Sequence, residues 1–319
     1  MSTLYQENSA PRSQWGLLLV DAKNAFNAMN RIGALWQARI HWPRCAKFLY
    51  NTYKGHAELV FRGSEEKLHS REGVTQGDPL AMLLYGISTL PLIDVLQDPQ
   101  LTQCWYADDS SAQGHFDDLK RWWDKLNTHG PHYGYFPQGP KSYLVVHPAD
   151  VSSAKQRFEG TGITIVTGQR FLGGYIGLDE GKEEFLGRRM TKWVECVKKF
   201  AMAGETQPQS AYAAFTKSVQ FQWQYAQRVI DGGGLVYSCL RDAIWSVFLP
   251  AIVGDKELAV QERQLFSLPA AKGGLAVSDP VRSASLLNET SRAGSAELVN
   301  AIKLGLPLEI ANQLVSIKA

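Results

Sequence analysis

The clearest apolar run in the chain is Trp15–Val20, unbroken and followed at once by Asp21. A short run of this kind predicts a strand buried on both faces, with the aspartate emerging at its tip. Helical spacing follows over residues 31–40 and again from Pro43 to Lys54, where proline suits the first turn. Residues 57–61 and 67–71 predict two strands. Asp78-Pro79 predicts a helix start, with Asp78 as N-cap and Pro79 at the first helical position. That helix carries Leu80, Leu83, Leu84 and Ile87 on one side and bends at Pro91. Residues 103–106 and 110–113 flank Ala107-Asp108-Asp109 and predict a β-hairpin. Leu119, Trp122, Trp123 and Leu126 then recur at helical spacing over residues 117–128, with Gly130 near the end. Residues 163–166 and 170–176 predict a second hairpin around Thr167-Gly168-Gln169. Beyond Asp179 the pattern is helical almost throughout, and this change marks the predicted domain boundary. Residues 1–14 show no such pattern and are predicted to be a flexible tail.

Composition narrows the class without naming an activity. At 319 residues with 45% hydrophobic and 20% charged positions, the chain is long enough for a substantial core and has the balance of a folded protein. The 33 basic and 31 acidic residues leave a net charge of +2, so global charge selects no partner. Cys45, Cys104, Cys196 and Cys239 are widely spaced and form no CxxC pair. That argues against a zinc ribbon and a disulfide-stapled fold and predicts an intracellular, reducing compartment. The polar N-terminus lacks the pattern of a secretory signal. Apolar runs such as Leu17–Val20 and Leu80–Tyr85 are too short to span a bilayer, so no membrane partner is expected.

Two features carry chemistry. Asp21 ends a predicted buried strand, and Asp108 and Asp109 lie at a predicted hairpin tip. Each alone is commonplace, since aspartate favours turns and often terminates strands. Brought together on adjacent strands, three carboxylates are the natural ligands for hard divalent cations that also hold phosphate oxygens.

Five segments in order resemble the reverse transcriptase family, particularly the branch of non-LTR retrotransposons and group II introns. Val20-Asp21-Ala22-Lys23-Asn24-Ala25-Phe26-Asn27 resembles the first palm motif, and Gly73-Val74-Thr75-Gln76-Gly77-Asp78-Pro79-Leu80 the second. Tyr106-Ala107-Asp108-Asp109 is similar to the signature box, and Gly139-Pro140-Lys141-Ser142 to the lysine-bearing motif. Phe171-Leu172-Gly173-Gly174-Tyr175-Ile176-Gly177 resembles the hairpin that grips the primer. The resemblance implies an α+β fold: a polymerase palm, an antiparallel sheet with packed helices, over residues 15–179. A helical thumb over 180–250 and a helical C-terminal extension over 251–319 would follow.

It also implies RNA-directed DNA polymerase activity, with an RNA template, a DNA primer and dNTPs as partners and a nuclear or cytoplasmic location. Asp21, Asp108 and Asp109, with the Ala22 carbonyl, would bind two Mg²⁺ ions, or Mn²⁺ in their place. Lys141 would be the general acid for departing pyrophosphate. Phe26 would exclude a 2′-hydroxyl, although from the residues alone it reads equally as a core phenylalanine. Gln76 and Gly77 would pack on the nascent base pair and template. Phe171, Leu172, Gly173 and Gly174 would form the primer grip. Trp193 and Trp223 are expected in the core. The family carries a fingers region before its first palm motif, whereas about twenty residues precede Asp21 here. The expectation is a truncated fragment of low activity. The alternative is an inactive palm-like scaffold that binds nucleic acid or protein.

Overall fold

The structure is a computed structural model that describes residues 2–63, 65–254 and 257–318. The chain forms two compact units, Met1–Gln169 and Arg170–Ala319. In the first, α1 (Ser2–Asn8) precedes β1 (Trp15–Val20). The N-terminal segment is therefore not a bare tail: Tyr5 is buried and its ring lies 6.2 Å from that of Trp15. Next come α2 (Ala25–Ala28), α3 (Arg31–His41), α4 (Pro43–Tyr53), β2 (Ala57–Leu59), β3 (Leu68–Ser70) and α5 (Ala81–Val95). The unit continues with β4 (Thr102–Tyr106), β5 (Asp109–His115), α6 (Phe116–His129), β6 (Tyr143–Val146), α7 (Val151–Arg157) and β7 (Thr164–Val166).

The main sheet has five strands in the order β4-β5-β1-β6-β7. The apolar run of β1 occupies its centre, with Leu17 and Leu18 fully buried, and both neighbours run antiparallel to it. The sheet is mixed rather than wholly antiparallel, because β7 lies parallel to β6. The cause is local: α7 is a helical crossover, and a strand returning after such a crossover runs parallel to the one before it. Residues 163–166 therefore do not pair with 170–176. β2 and β3 form a separate antiparallel ribbon. One apolar cluster joins Leu18, Val20, Ala112, Leu144 and Val146 of the sheet to Leu84, Tyr85 and Leu92 of α5 and to Leu119, Trp122 and Leu126 of α6.

Asp78 does not cap α5 directly. Its carboxylate accepts from the Leu80 amide at 2.8 Å and from the Tyr53 hydroxyl, and its carbonyl accepts from the Ala81 amide, making one turn ahead of the helix.

Arg31 holds the loop before α5 in place. Its guanidinium is buried and donates to the carbonyls of Gly55, Ser70, Glu72 and Gly73 and to the Ser70 hydroxyl, at 2.7–3.1 Å. The Arg31 amide also donates to the Glu72 carboxylate at 2.9 Å. Two positive-φ glycines grip the chain around α2. A Cβ on Gly73 would lie 2.2 Å from the Phe26 carbonyl oxygen, and one on Gly134 would lie 2.0 Å from that of Ala28. The Gly73 and Val74 amides donate to the carbonyls of Met29 and Phe26, so the backbones are sewn together.

The second unit opens on a hairpin of β8 (Gly168–Phe171) and β9 (Gly174–Gly177), a sheet of its own. β8 begins at the unit boundary, and the hairpin tip is tied to helices of the second unit, which is why the division falls ahead of Asp179. Helix α8 (Asp179–Thr206) buries Leu186, Met190, Trp193, Val197 and Ala201 at helical spacing. It is followed by α9 (Pro208–Ala214), α10 (Gln220–Val229), α11 (Ser238–Ala243), α12 (Leu249–Val253), α13 (Val260–Ser267), α14 (Pro280–Leu304) and α15 (Ile310–Lys318). Single π-helical turns at Phe215–Val219 and Ile244–Phe248 lie among them, and Phe215 stacks on Phe248 at 4.2 Å. Trp193 and Trp223 are both buried, 6.4 Å apart.

Buried glutamines fix the segment leading into α14. Gln220 donates to the Ala276 carbonyl and accepts from the Ser278 amide, while Gln227 donates to the Pro280 carbonyl and accepts from the Ser283 hydroxyl. Among the described residues one helical stretch, Gly234–Val253, is long and apolar enough to cross a membrane, with mean hydropathy 1.4. It is assembled from short helical pieces that local apolar runs do not reveal, and its Tyr237, Leu240, Ile244 and Phe248 belong to the core of the second unit.

Replacing Arg31 with Ala strands several buried carbonyls without a donor. The expected loss is about 3 kcal/mol of stability in the first unit. Urea unfolding followed by circular dichroism measures it, and Arg31→Lys should recover only part of the loss.

Candidate active site

The register of β1 against β5 builds the site. Val20 opposite Ser110 is the last pair of this ladder, so Asp21 and Asp109 follow it at the same end of the sheet. β4 and β5 are joined by the two-residue turn Ala107-Asp108, with Ala107 at φ +54, which leaves Asp108 at the hairpin tip. Asp21, distant in sequence from Asp108 and Asp109, is thus brought to the same end of the sheet as that pair. Their proximity has an electrostatic signature. The Asp109 carboxyl is raised above its ordinary value by burial, then by the negative charges of Asp108 and Asp21. Burial and like charge both disfavour the ionised form.

The second side of Asp21 is equally fixed. Its amide donates to the Ser142 hydroxyl at 3.3 Å, and its carbonyl accepts from the Gln138 amide at 2.9 Å. The Ser142 hydroxyl in turn donates to the Gln138 carbonyl at 2.8 Å. Ala22 bridges Pro137, and the Lys23 amide donates to the Phe136 carbonyl. The turn Gly139–Lys141 is held against the Asp21 backbone in this way. Lys141 Nζ stands 3.9 Å from Asp21 Oδ2, with 68% of its side chain exposed.

Tyr135, to which sequence reasoning gave no role, lies beneath the carboxylates. It is buried, its hydroxyl donates to the Asp108 carbonyl at 3.0 Å, and it lies 2.8 Å from the Ser110 hydroxyl. Since the phenol proton is committed to Asp108, the Ser110 hydroxyl is the donor in the second bond. Burial pushes the Tyr135 phenol well above its ordinary range, and the charges of Asp108, Asp109 and Asp21 push it further. Tyr135 is therefore a neutral donor that fixes the hairpin-tip backbone. The signal available in sequence was the aromatic cluster Tyr133–Phe136, just ahead of the lysine-bearing motif. It gives no hint of its partner.

Phe26 is half-buried and stacks on Tyr85 with ring centroids 4.6 Å apart. Gln76 and Gly77 are exposed, in the loop joined to Phe26 through Val74. Phe171, Leu172, Gly173 and Gly174 belong to the hairpin at the start of the second unit. There the Tyr225 hydroxyl donates to the Leu172 carbonyl at 2.6 Å and Arg189 to that of Gly173 at 3.2 Å.

Among the described residues, no group of three or more His, Cys, Asp or Glu side chains forms a ready cation cage. The donor chemistry still suits a hard cation. A magnesium ion ordinarily takes one or two protein carboxylates and completes its shell with water and substrate phosphate oxygens. The negative charges of Asp108 and Asp21, which add to burial in raising the Asp109 carboxyl, are of the kind that a divalent cation would offset.

No family model and no curated protein matches the chain. Among solved structures the chain is similar to telomerase from Candida albicans in complex with a TWJ fragment of telomeric RNA, at a TM-score of 0.33 and 10% identity. The match covers 90% of this chain and 53% of that one, so the chain spans about half the length of that protein.

Ionised Asp109 opposes folding, because its carboxyl is raised in the folded state above its ordinary value of 3.8. That cost is absent below the ordinary value, grows as pH rises from there, and is complete above the raised one. Asp109→Asn should therefore raise the melting temperature near neutral pH, with the gain shrinking as the solution is acidified. Thermal scans across that range check both the sign and the trend.

Proposed function

We propose that this chain carries the palm and thumb of a reverse transcriptase, which adds deoxynucleotides to a primer 3′-hydroxyl on an RNA template. The observation that carries the reading is the pairing of Val20 with Ser110, which sets Asp21 beside the Asp108–Asp109 tip. The ordered series of five motifs supports it independently. In this reading Asp21 and Asp108 hold two Mg²⁺ or Mn²⁺ ions, with Asp109 and the Ala22 carbonyl as further ligands. When bound, the ions supply an activated primer hydroxyl and neutralise charge on the departing pyrophosphate.

The remaining roles belong to the protein. Lys141 keeps a proton on Nζ beside Asp21 and delivers it to the leaving pyrophosphate. Phe26, backed by Tyr85, presents a ring face that a ribose 2′-hydroxyl would strike, which selects deoxyribose. Gln76 and Gly77 line the exposed loop next to it, where the nascent base pair and the template backbone would lie. The hairpin tip Phe171–Gly174 grips the primer. RNA template, DNA primer and dNTPs are the partners of this reading.

One observation favours a second reading, a palm-like scaffold without activity. The Lys141 ammonium already faces Asp21 at 3.9 Å and offsets part of the charge a cation would otherwise meet. Exposed pairs of this type contribute little, typically under about 1 kcal/mol, so a divalent ion would displace the ammonium readily.

Titration with Mn²⁺, read by electron paramagnetic resonance, separates the two readings: saturable uptake that is lost in Asp108→Ala supports the enzyme, and no uptake supports the scaffold. Primer extension on an RNA template should fall by roughly two orders of magnitude or more in Asp108→Ala. Phe26→Ala should keep dNTP incorporation and begin to accept ribonucleotides. Extension unaffected by Asp108→Ala would sink the proposal.

A further inference from the structure

A solvent-open cleft of about 540 Å³ lies within the second unit, lined by Arg170, Arg189, Lys192, Trp193, Gln222 and Tyr225, with Gly173 of the proposed primer grip also in its wall. None of its lining residues is acidic. Among the described residues, no carboxylate stands within ion-pair distance of Arg170, Arg189 or Lys192. The same helix does pair other cations, since Lys182 meets Asp179 at 2.7 Å and Arg188 meets Glu184 at 3.3 Å. The cavity therefore gathers positive charge that the protein leaves without a counter-charge.

The arrangement is also preorganised. The Arg189 guanidinium donates to the Gly173 carbonyl at 3.2 Å and lies 4.9 Å from the Phe185 ring and 5.8 Å from the Trp193 ring. Held by one nitrogen and by stacking, it keeps the rest of its fork for another acceptor. Tyr225 is fixed through its hydroxyl on the Leu172 carbonyl, so its position at the wall is set. Burial, then the neighbouring charge of Arg170, lowers the Arg189 pKa, as expected where two guanidiniums share a space without an anion. The volume suits a nucleotide-sized molecule and is more than a single phosphate requires.

We propose that this cavity binds a small phosphorylated molecule of nucleotide size, with its phosphates on Arg170, Arg189 and Lys192 and its body against Tyr225 and Gln222. The site draws on none of the carboxylates of the first unit, and its occupancy needs no divalent cation.

The test uses the full chain with EDTA present, and ATP as the probe in isothermal titration calorimetry. The exposed pair Arg170→Glu and Lys192→Glu is made together, and Lys217→Glu serves as a charge control outside the cavity. Saturable binding of one ATP, weakened roughly tenfold or more in the double variant and unchanged in Lys217→Glu, is the expected result. Inorganic tripolyphosphate should compete with ATP. The proposal is overturned if ATP shows no saturable binding or if Lys217→Glu weakens it equally. It is also overturned if the double variant lowers only the binding of a single-stranded oligonucleotide. Because no metal is present, failure here bears on the cleft and not on the carboxylate site of the polymerase reading, and Asp108→Ala should leave ATP binding intact.

Discussion

The register of one strand governs the molecule's chemistry. β1 is held between β5 and β6, with Val20 opposite Ser110 and Leu19 opposite Tyr143. A slip by one residue would turn every side chain of β1 to the other face and carry Asp21 away from both Asp109 and Lys141. The placement works against electrostatics, since it gathers three carboxylates at one end of the sheet. Magnitudes show why it holds. Burial of Leu17, Leu18, Leu19 and Val20 is worth on the order of 6–12 kcal/mol as an upper bound. The three aspartates make three like-charge pairs, each worth roughly 1–4 kcal/mol at about 4 Å between bulk-water and near-surface screening, and their partial exposure keeps the sum toward the lower end. The apolar strand fixes the register, and the acidic residues are carried into place by it.

This asymmetry explains what could be read from the sequence. The β1 run, the Asp108–Asp109 hairpin and the stripe of α6 are all local patterns, and each emerges near its expected bounds. Arg31 and Tyr135 are different. Nothing in their neighbourhoods announces a guanidinium that binds four backbone carbonyls, or a phenol beneath a carboxylate cluster, because the partners lie far along the chain. Residues 163–166 show the same limit from the other side. Their strand character is legible, but α7 chooses the partner, and two adjacent apolar runs look like a hairpin whether or not they pair. The first helix escaped notice because a single aromatic, Tyr5, docks it.

Both units use buried polar side chains to pin irregular backbone that regular hydrogen bonding cannot reach. In the first, Arg31 satisfies the carbonyls of the loop that leads to Gln76 and Gly77. In the second, Gln220 and Gln227 do the same for the segment entering α14. An amide or guanidinium that meets each of its partners rigidifies such a segment, whereas a half-satisfied one would cost more than an apolar replacement. The loop beside Phe26 can therefore stay exposed and still keep a defined path.

The two glycines that grip the short helix after Asp21 have a consequence for biosynthesis. As the chain leaves the ribosome, the central strand and the turn behind it emerge before the strands that flank them. Gly73 supplies one support, but Gly134 supplies the other only after a long further stretch has been translated. Such distant contacts repay the entropy of loop closure only once both ends are present. The surroundings of Asp21 thus mature late, well after the residue itself has been made.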